Sequence, residues 1–257
     1  MALVLQDALF LHQFPSRDGQ MRTAFRGGAS ILFLLGLLLG CSEEASSPGS
    51  TVQIRTQLGL TTVRAAAFHG VKPQGHSPVD SLRIERVRLL LKRLKLHAAG
   101  DDTLTGGRDV KVGPFVAVFN AAVQLLGWAE IPAGTYRWLK LEFHRFSDSE
   151  AARYAADSLF RDFATADRPS LLIEGTVFVG DSAVPFIYRS DITANVALTL
   201  EPPAPVAAGE VLQLLLRFEP QQAFREGNTI LDPRDPRLKS QIDNNLRAAL
   251  KALKQSP

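Results

Sequence analysis

Alternation of apolar and polar residues is the feature that most restricts how this chain can fold. Apolar side chains occupy every second position in three segments, 139–143, 192–200 and 212–218. Successive side chains of a β-strand point to opposite faces, so a period of two predicts strands with one buried and one solvated face. Such strands are typical of antiparallel sheets. The body of the chain is therefore predicted to be mainly β.

Turn signals separate further strand candidates. Gly180–Ala183 predicts a tight hairpin, because glycine adopts the positive φ that such turns need. About eight strands divided by turn signals predict an antiparallel two-sheet sandwich. The additional strand candidates are Thr51–Thr56, Leu82–Leu96, Val110–Phe119, Leu171–Val179 and Val184–Arg189.

The segment Leu82–Leu96 fits two interpretations. As a strand, Leu82 and Ile84 share one phase and Val87 begins the other, so an extra residue at a bulge would reconcile them. Its many basic residues would then form a solvated face or guard a sheet edge. As a helix, Val87 and Leu94 belong to an apolar stripe opposite a basic face, which could lie on a membrane. The long bulged strand is favoured.

Two helices are predicted. One covers residues 149–163 as an insertion between strands, and the other covers residues 240–254 at the C-terminus. Ser240 and Asp243 form a variant capping box at the start of the second helix. The apolar stripes are Ala152, Ala155, Leu159 and Phe163 in the first helix, and Ile242, Leu246, Ala249, Leu250 and Leu253 in the second. We expect the stripe of the second helix to pack on the sandwich. The alternative is a detached helix that meets a partner protein.

An apolar segment, Ala29–Gly40, lies near the N-terminus. Its twelve residues would cover roughly 18 Å as a helix, short of a hydrocarbon core of about 30 Å. The length fits the apolar region of a signal peptide, and Arg22 and Arg26 supply the positive charge that precedes such a region. The segment is therefore predicted to direct export.

The residues Leu38-Leu39-Gly40-Cys41 follow at the end of this segment. They resemble the lipobox of bacterial lipoproteins, although Leu39 stands where Ala, Ser or Thr is commoner. The resemblance implies cleavage before Cys41, a diacylglycerol on its thiol and usually acylation of its new amino group. One acyl chain binds a membrane only reversibly, whereas two or three would hold the protein there. The alternative is a free cysteine buried at the end of a core helix.

Four regions follow from these signals. Met21 begins a signal peptide of ordinary length, so residues 1–20 are interpreted as an extension upstream of the true start. Residues 21–40 are the signal peptide, and residues 41–50 are the lipidated cysteine and a Ser/Pro/Gly-rich tether. Residues 51–257 are the β-sandwich domain.

The segment Ile131–Lys254 resembles an uncharacterised type of β-sandwich domain found in bacterial lipoproteins. The resemblance covers about half the chain, and it implies a sandwich fold and an envelope location without an activity. This chain has Ala223-Phe224 where such domains often carry a Trp-Phe pair. The residues that carry the resemblance are Ile131–Tyr136, Ile173–Thr176, Phe186–Asp191, Leu212–Phe218, Leu231-Asp232-Pro233 and Asn244-Asn245.

Local signatures of catalysis are missing from the sequence. It contains no G-x-S-x-G, H-E-x-x-H, C-x-x-C or P-loop motif, and Cys41 is its one thiol. His69 and His76 could share a metal, but two solvated loop histidines are the favoured interpretation. Asp232 and Asp235 could offer oxygen ligands to Ca²⁺, but capping of turns is favoured for them. Neither a metal site nor a cofactor is predicted.

Three aromatic residues cluster in the sequence: Trp128, Tyr136 and Trp138. Trp138 alternates with Leu139, so it should lie on the face opposite the aliphatic stripe. An exposed tryptophan beside a tyrosine suits a platform for a sugar or a peptide. The favoured alternative has Trp138 packed under the inserted helix.

These observations favour a non-catalytic binding, adhesion or assembly module. A lipid anchor through acylated Cys41 would place it in the bacterial envelope, more in keeping with the outer than the inner membrane, with the domain facing the periplasm or the exterior. Its partner would be an envelope protein or a carbohydrate. A net charge of only +3 gives no basis for nucleic-acid binding. The alternatives are a hydrolase built from dispersed carboxylates and histidines, and a structural spacer.

Overall fold

Strands dominate the computed structural model of the chain, which describes residues 49–64, 79–100 and 107–255. These residues belong to one compact unit, residues 45–257. The strands are β1 Ser50–Leu58, β2 Thr62–Arg64, β3 Ser81–Ala98, β4 Arg108–Phe119, β5 Gln124–Ile131, β6 Gly134–Phe143, β7 Leu171–Val179, β8 Ser182–Ser190, β9 Asn195–Val206, β10 Val211–Phe218, β11 Arg225–Glu226, β12 Thr229–Ile230 and β13 Leu250–Lys254. The helices are α1 Asp148–Tyr154, α2 Pro220–Phe224 and α3 Lys239–Ala248, with a 3₁₀ turn at Pro236–Leu238.

Two sheets form a sandwich, as predicted. One sheet has four strands, which lie side by side in the order β13-β10-β1-β5. The other has seven: five lie side by side in the order β8-β7-β3-β6-β9, and β2 and β4 also pair with β3. Aliphatic side chains from both sheets, among them Ile54, Leu89 and Leu214, are buried in one core between them. The prediction of antiparallel pairing is wrong at one place, because β1 and β10 are parallel. These strands come from opposite ends of the sequence, so no hairpin constrains their direction.

The strand β3 is the long bulged strand that the sequence favoured. It runs for 18 residues, and its register against β7 shifts between Ile84 and Arg86. Leu82 and Ile84 are buried before the shift, and Val87 and Leu89 are buried after it. The bulge therefore turns both apolar phases toward the core.

The basic residues of β3 form a solvated face, and the edge interpretation is wrong because β3 lies inside its sheet. Arg86 pairs with Glu174 at 2.7 Å, and Arg88 reaches Glu174 at 2.8 Å and Asp162 at 2.7 Å. The hydrogen bond from Arg88 lowers the pKa of Asp162, and the charge of Arg88 adds to this effect. The basic side chains thus tie together two strands and the insertion that follows β6.

The predicted helix 149–163 is much shorter in the structure. Helix α1 ends at Tyr154, and turns follow it. Of the predicted stripe, Ala152, Ala155 and Leu159 are exposed and only Phe163 is buried. Phe146, Ala151, Phe160 and Phe163 instead form a small second core with Leu90 and Leu172. The insertion therefore covers the outer face of the seven-stranded sheet through aromatic packing rather than through a helical stripe.

The predicted C-terminal helix is half helix and half strand. Helix α3 ends at Ala248, and β13 then pairs antiparallel with β10. Leu253, assigned to the helical stripe, is 42% exposed because it points outward from the strand. The prediction that Ser240 caps this helix is also wrong. Helix α3 begins at Lys239, directly after the 3₁₀ turn, and no side chain caps it. Ile242, Leu246, Ala249 and Leu250 are buried as predicted.

The two sheets approach each other along both long sides of the sandwich. On one side β4 lies beside β5, where Lys111 Nζ donates to the Leu126 carbonyl at 3.0 Å. The Thr56 hydroxyl donates to the Val118 carbonyl nearby at 2.6 Å. On the other side β13 lies against β9. The insertion packs on the outer face of the seven-stranded sheet, so the outer face of the four-stranded sheet is the broad surface open to a partner.

The hairpin at Gly180 is confirmed, with φ of 53° at that glycine. Strand β8 begins at Ser182, two residues earlier than expected. Among the described residues, no helix has the length and apolar character needed to cross a membrane. Residues 1–48, including the predicted signal peptide and Cys41, lie outside the described part, as do His69 and His76. The sandwich starts at Ser50, the last residue assigned to the tether.

Candidate functional site

Trp128 lies on the open outer face of the four-stranded sheet. It is carried by β5, and 62% of its surface is exposed. Directly opposite on β1 stands Gln53, and opposite Gln53 on β10 stands Gln213. Neighbouring strands lie about 4.8 Å apart, so this row of one indole and two amides spans roughly 10 Å across three strands. The row forms a strip with an aromatic end and a polar end.

A second row lies beside the first. Leu125 of β5, Arg55 of β1, Leu215 of β10 and Leu253 of β13 face one another in register. Leu125 is 62% exposed, whereas Leu215 is nearly covered by its neighbours. We call the whole surface the Trp128 face and define it by these outward-pointing residues: Thr51, Gln53, Arg55, Leu125, Trp128, Glu130, Val211, Gln213, Leu215 and Leu253.

The polar groups of the Trp128 face are available to a ligand. The Gln53 carbonyl oxygen accepts a long hydrogen bond of 3.4 Å from Arg55, which leaves the Gln53 amino group open. Within the described part of the chain, the amide of Gln213 and the indole N–H of Trp128 make no hydrogen bond. An amide both donates and accepts hydrogen bonds, and an indole donates one. The face therefore offers donors and acceptors beside an exposed aromatic ring.

The structure separates the three aromatic residues that cluster in the sequence. Tyr136 is only 4% exposed, and its hydroxyl donates to the Pro132 carbonyl at 2.7 Å, so it braces the turn between β5 and β6. Trp138 lies on β6 in the other sheet, and the Arg137 guanidinium is 4.9 Å from its ring centroid. It takes no part in the small core beneath the insertion. Trp128 alone stands on the four-stranded sheet.

Sequence reasoning missed Gln53, Arg55 and Gln213 as members of this site. Each lies on the solvated phase of a predicted strand, which marks it as exposed but does not say which residues stand beside it. The grouping arises from the register of β1 with β5 and β10, and strands distant in sequence carry no local signal of register. An exposed Trp on a strand was the one signal that the sequence offered.

His144 has a carboxylate partner. Its Nε2 lies 3.1 Å from both oxygens of Glu150, and the Ser147 hydroxyl lies 2.9 Å from Glu150 Oε2. A Ser-His-acid triad needs the imidazole between the hydroxyl and the carboxylate, and here the carboxylate stands in the middle. Ser147 and Glu150 form the capping box of α1, and the hydrogen bond from the Ser147 backbone lowers the pKa of Glu150. This group stabilises the start of a helix.

Asp232 and Asp235 cap turns, as the sequence favoured. Asp232 accepts a hydrogen bond from the Arg234 backbone N–H, and Asp235 accepts one from the Arg237 backbone N–H, each at 2.9 Å. The side chains of the same arginines also bind these carboxylates. The hydrogen bonds from Arg237 lower the pKa of Asp235, so it stays charged and engaged. In the described ranges, no three His, Cys, Asp or Glu residues are arranged to hold a metal ion.

Comparison of the chain with protein-family models, with characterised proteins and with solved structures finds no match. The exposed row on the four-stranded sheet therefore provides the main basis for a functional proposal.

Proposed function

We propose that this protein is a lipid-anchored bacterial envelope protein whose β-sandwich is a non-catalytic, glycan-binding module. The Trp128 face is its binding surface. The observation that carries the proposal is the exposed Trp128 indole in one row with the Gln53 and Gln213 amides. The outer face of the four-stranded sheet holds the exposed Trp128 end of this row open to solvent, so a long polymer could lie across it.

A sugar ring matches this row chemically. One face of a pyranose presents C–H groups, which pack on an aromatic ring, and its rim presents hydroxyls that both donate and accept hydrogen bonds. Trp128 supplies the ring, with Leu125 beside it, and the two amides supply mixed donors and acceptors. Ligand sites typically combine apolar surface with a few polar groups that fix orientation. An extended glycan could place one sugar on Trp128 and the next over Gln53.

The composition of the face also favours a glycan over a large protein partner. The most exposed apolar residues lie on three strands: Leu125 and Trp128 on β5, Val211 on β10 and Leu253 on β13. The polar residues Gln53, Arg55 and Gln213 lie on β1 and β10, among these apolar residues. A stable protein interface usually has a continuous apolar centre within about 800 Å² per partner. Here Gln53, Arg55 and Gln213 share the two central strands with Leu215, which is nearly covered, so the exposed apolar residues form no continuous centre.

The envelope location rests on the N-terminal sequence. The apolar segment Ala29–Gly40 followed by Cys41 supports export and acylation, and acyl chains would hold the module at a membrane surface. A weak glycan site gains from such anchoring, because tethering raises the effective concentration of module and ligand in the envelope.

The proposal is tested by affinity measurements with the full chain in detergent. The ligands are purified peptidoglycan, amino-sugar oligosaccharides and neutral glucan oligosaccharides. We expect saturable binding of at least one class, with Trp128→Ala reducing the affinity about ten-fold or more. Trp138→Ala is the matched control, because the second tryptophan lies on the other sheet.

Equal loss of affinity in the Trp128→Ala and Trp138→Ala variants would place the glycan elsewhere. If no glycan class binds while a protein crosslinks at the Trp128 face, the module is an assembly module and its glycan role is wrong.

A further inference from the structure

A charged cleft lies at the end of the seven-stranded sheet, away from the Trp128 face. It encloses about 340 Å³ and is lined by Arg145 after β6, Arg189 of β8 and Lys239 of α3. Asp167, Asp191 and Ser190 also line it, together with Ala166 and Pro169. Three cations from three separate parts of the chain thus meet two carboxylates in one concave site.

The carboxylates of the cleft position its cations. Asp191 Oδ2 pairs with Arg145 Nη1 at 3.2 Å, and Asp191 Oδ1 pairs with Lys239 Nζ at 3.3 Å. Partial burial alone would raise the pKa of Asp191, but the hydrogen bond and the charge of Lys239 hold it below its ordinary value. Lys239 also reaches Asp243 at 2.6 Å, and Asp243 accepts a hydrogen bond from Tyr188 at 2.7 Å. Asp191 therefore has both oxygens engaged by cations.

The side chains that line the cleft have more unused hydrogen-bond donors than unused acceptors. A guanidinium carries five N–H donors, and Arg145 uses one of them toward Asp191. Arg189 is 3.8 Å from Asp167, which is too long for a hydrogen bond. Within the described residues, the hydroxyl of Ser190 is buried and has no hydrogen-bond partner. The cleft thus has donors to offer and few free acceptors.

We infer that this cleft binds an oxyanion of the phosphate class, held by the guanidinium groups of Arg145 and Arg189. Phosphate presents several acceptor oxygens in different directions, which suits donors that arrive from Arg145, Arg189 and Lys239. Arginine forks bind such oxyanions through two parallel hydrogen bonds. The inference concerns a different surface from the proposed glycan site, and it does not depend on that function or on the lipid anchor.

The phosphate group could belong to a free phosphate ester or to a lipid headgroup. Both offer the same oxyanion to Arg145 and Arg189, so they are distinguished by the ligand used. Glycerol phosphate represents the free ester, and dihexanoyl phosphatidic acid, a short-chain soluble lipid, represents the headgroup.

The test is calorimetric titration of the full chain in a non-ionic detergent with inorganic phosphate, glycerol phosphate and dihexanoyl phosphatidic acid. We expect saturable binding of at least one of them at low ionic strength. Arg189→Gln and Arg145→Gln should each weaken it about ten-fold or more, because each removes a charge-assisted fork. Arg189→Lys, which keeps the charge and loses the fork, should fall between Arg189→Gln and the unmodified chain.

The matched control is Arg83→Gln. Arg83 is an exposed arginine of β3 that pairs with Glu85 at 2.9 Å, outside the cleft. The affinity of the Arg83→Gln variant for the phosphate ligands should stay within about two-fold of that of the unmodified chain. Arg145 is a half-exposed loop residue, so Arg145→Gln should fold, and unchanged thermal melting would verify this.

Absence of saturable binding for all three ligands overturns the inference. The inference is also overturned if Arg83→Gln loses as much affinity as Arg145→Gln and Arg189→Gln, because the attraction would then be diffuse and electrostatic rather than due to a specific site. Binding of dihexanoyl phosphatidic acid with no binding of glycerol phosphate assigns the cleft to a lipid headgroup. Binding of both ligands with similar affinity assigns it to the phosphate group alone.

Discussion

Gln53 of β1 lies directly opposite Trp128 of β5, in the antiparallel register that joins these two strands. Gln53 also stands opposite Gln213 of β10 across the single parallel pairing of the four-stranded sheet. The N-terminal strand is thus inserted between two strands from later in the chain and completes the row. Without β1, the indole and the second amide would not belong to one continuous surface.

The aromatic core under the insertion gives a direct test of how residues 144–170 pack. Phe163 is fully buried there, whereas Leu159 is 51% exposed. We expect Phe163→Ala to lower the free energy of unfolding by about 3–5 kcal/mol, because it removes a large buried ring and leaves a cavity. Leu159→Ala should change it by less than about 0.5 kcal/mol. Urea denaturation measures both changes in unfolding free energy. A larger loss for Leu159→Ala than for Phe163→Ala would contradict this packing and support a helix over residues 149–163.

The C-terminal strand gives a second test. Leu246 of α3 is 1% exposed and Leu253 of β13 is 42% exposed. Leu246→Ala should cost about 2–5 kcal/mol and Leu253→Ala much less, although a continuous helix would bury both. Hydrogen exchange should show slow amides at alternate residues within 250–254, because β13 lies at the edge of its sheet and every second amide bonds to β10. Rapid exchange of these amides would contradict the strand.

The fold could be predicted from the sequence where one period dominates. The alternating segments lie in β6, β9 and β10, although β9 begins at Asn195, three residues after the alternation begins. The two apolar phases of β3 correctly indicated a bulge. The length of the inserted helix was overestimated, because Ala152, Ala155 and Leu159 have helical spacing although they are exposed. Phe160 instead packs against Phe146, and Phe163 is buried in the same small core. At the C-terminus, Leu250 fits a helical stripe and a strand equally well, and pairing with β10 decides between them.

The candidate site was only partly predictable. Trp128 could be named from its type and its place in the chain, but Tyr136 and Trp138 were grouped with it by sequence distance alone. The chain crosses from one sheet to the other between β5 and β6, and this crossing separates them. Gln53 and Gln213 join Trp128 through strand register, which depends on the packing of the whole sandwich.

Asp162 should make the stability of the fold depend on pH. Its hydrogen bond from Arg88 lowers its folded-state pKa. The ionised carboxylate therefore stabilises the fold above its ordinary pKa of about 3.9, and this contribution is lost as the pH falls through the lower folded-state value. Asp162→Asn should reduce Tm at pH 7, and the difference from the unmodified chain should shrink below about pH 4.

The control for this pH dependence is Asp181→Asn. Asp181 is an exposed residue of the turn between β7 and β8, and it has no ion pair in the described structure. Its Tm difference should be small at both pH values. A Tm loss in Asp162→Asn that is equally large in acid would mean that the ion pair with Arg88 does not stabilise the fold.

Lipidation of Cys41 is a prediction from the sequence alone. In a bacterial host, mass spectrometry of the mature N-terminus should find an acylated Cys41 and no residue upstream of it. Cys41→Ala should leave the precursor uncleaved and about the size expected for translation from Met21. A free Cys41 thiol in a chain that retains residues 21–40 would contradict both the anchor and the envelope location.

The central claim, that Trp128 receives a glycan, is tested most directly by fluorescence of the Trp138→Phe variant. The chain has two tryptophans, so Trp128 is then the single indole reporter. Titration with the glycan that binds in the affinity assay should change the emission saturably, with the same midpoint as binding. Gln53→Ala in the same background should move that midpoint to higher concentration. An emission that stays constant while the glycan binds would show that the ligand does not contact Trp128, and it would contradict the account.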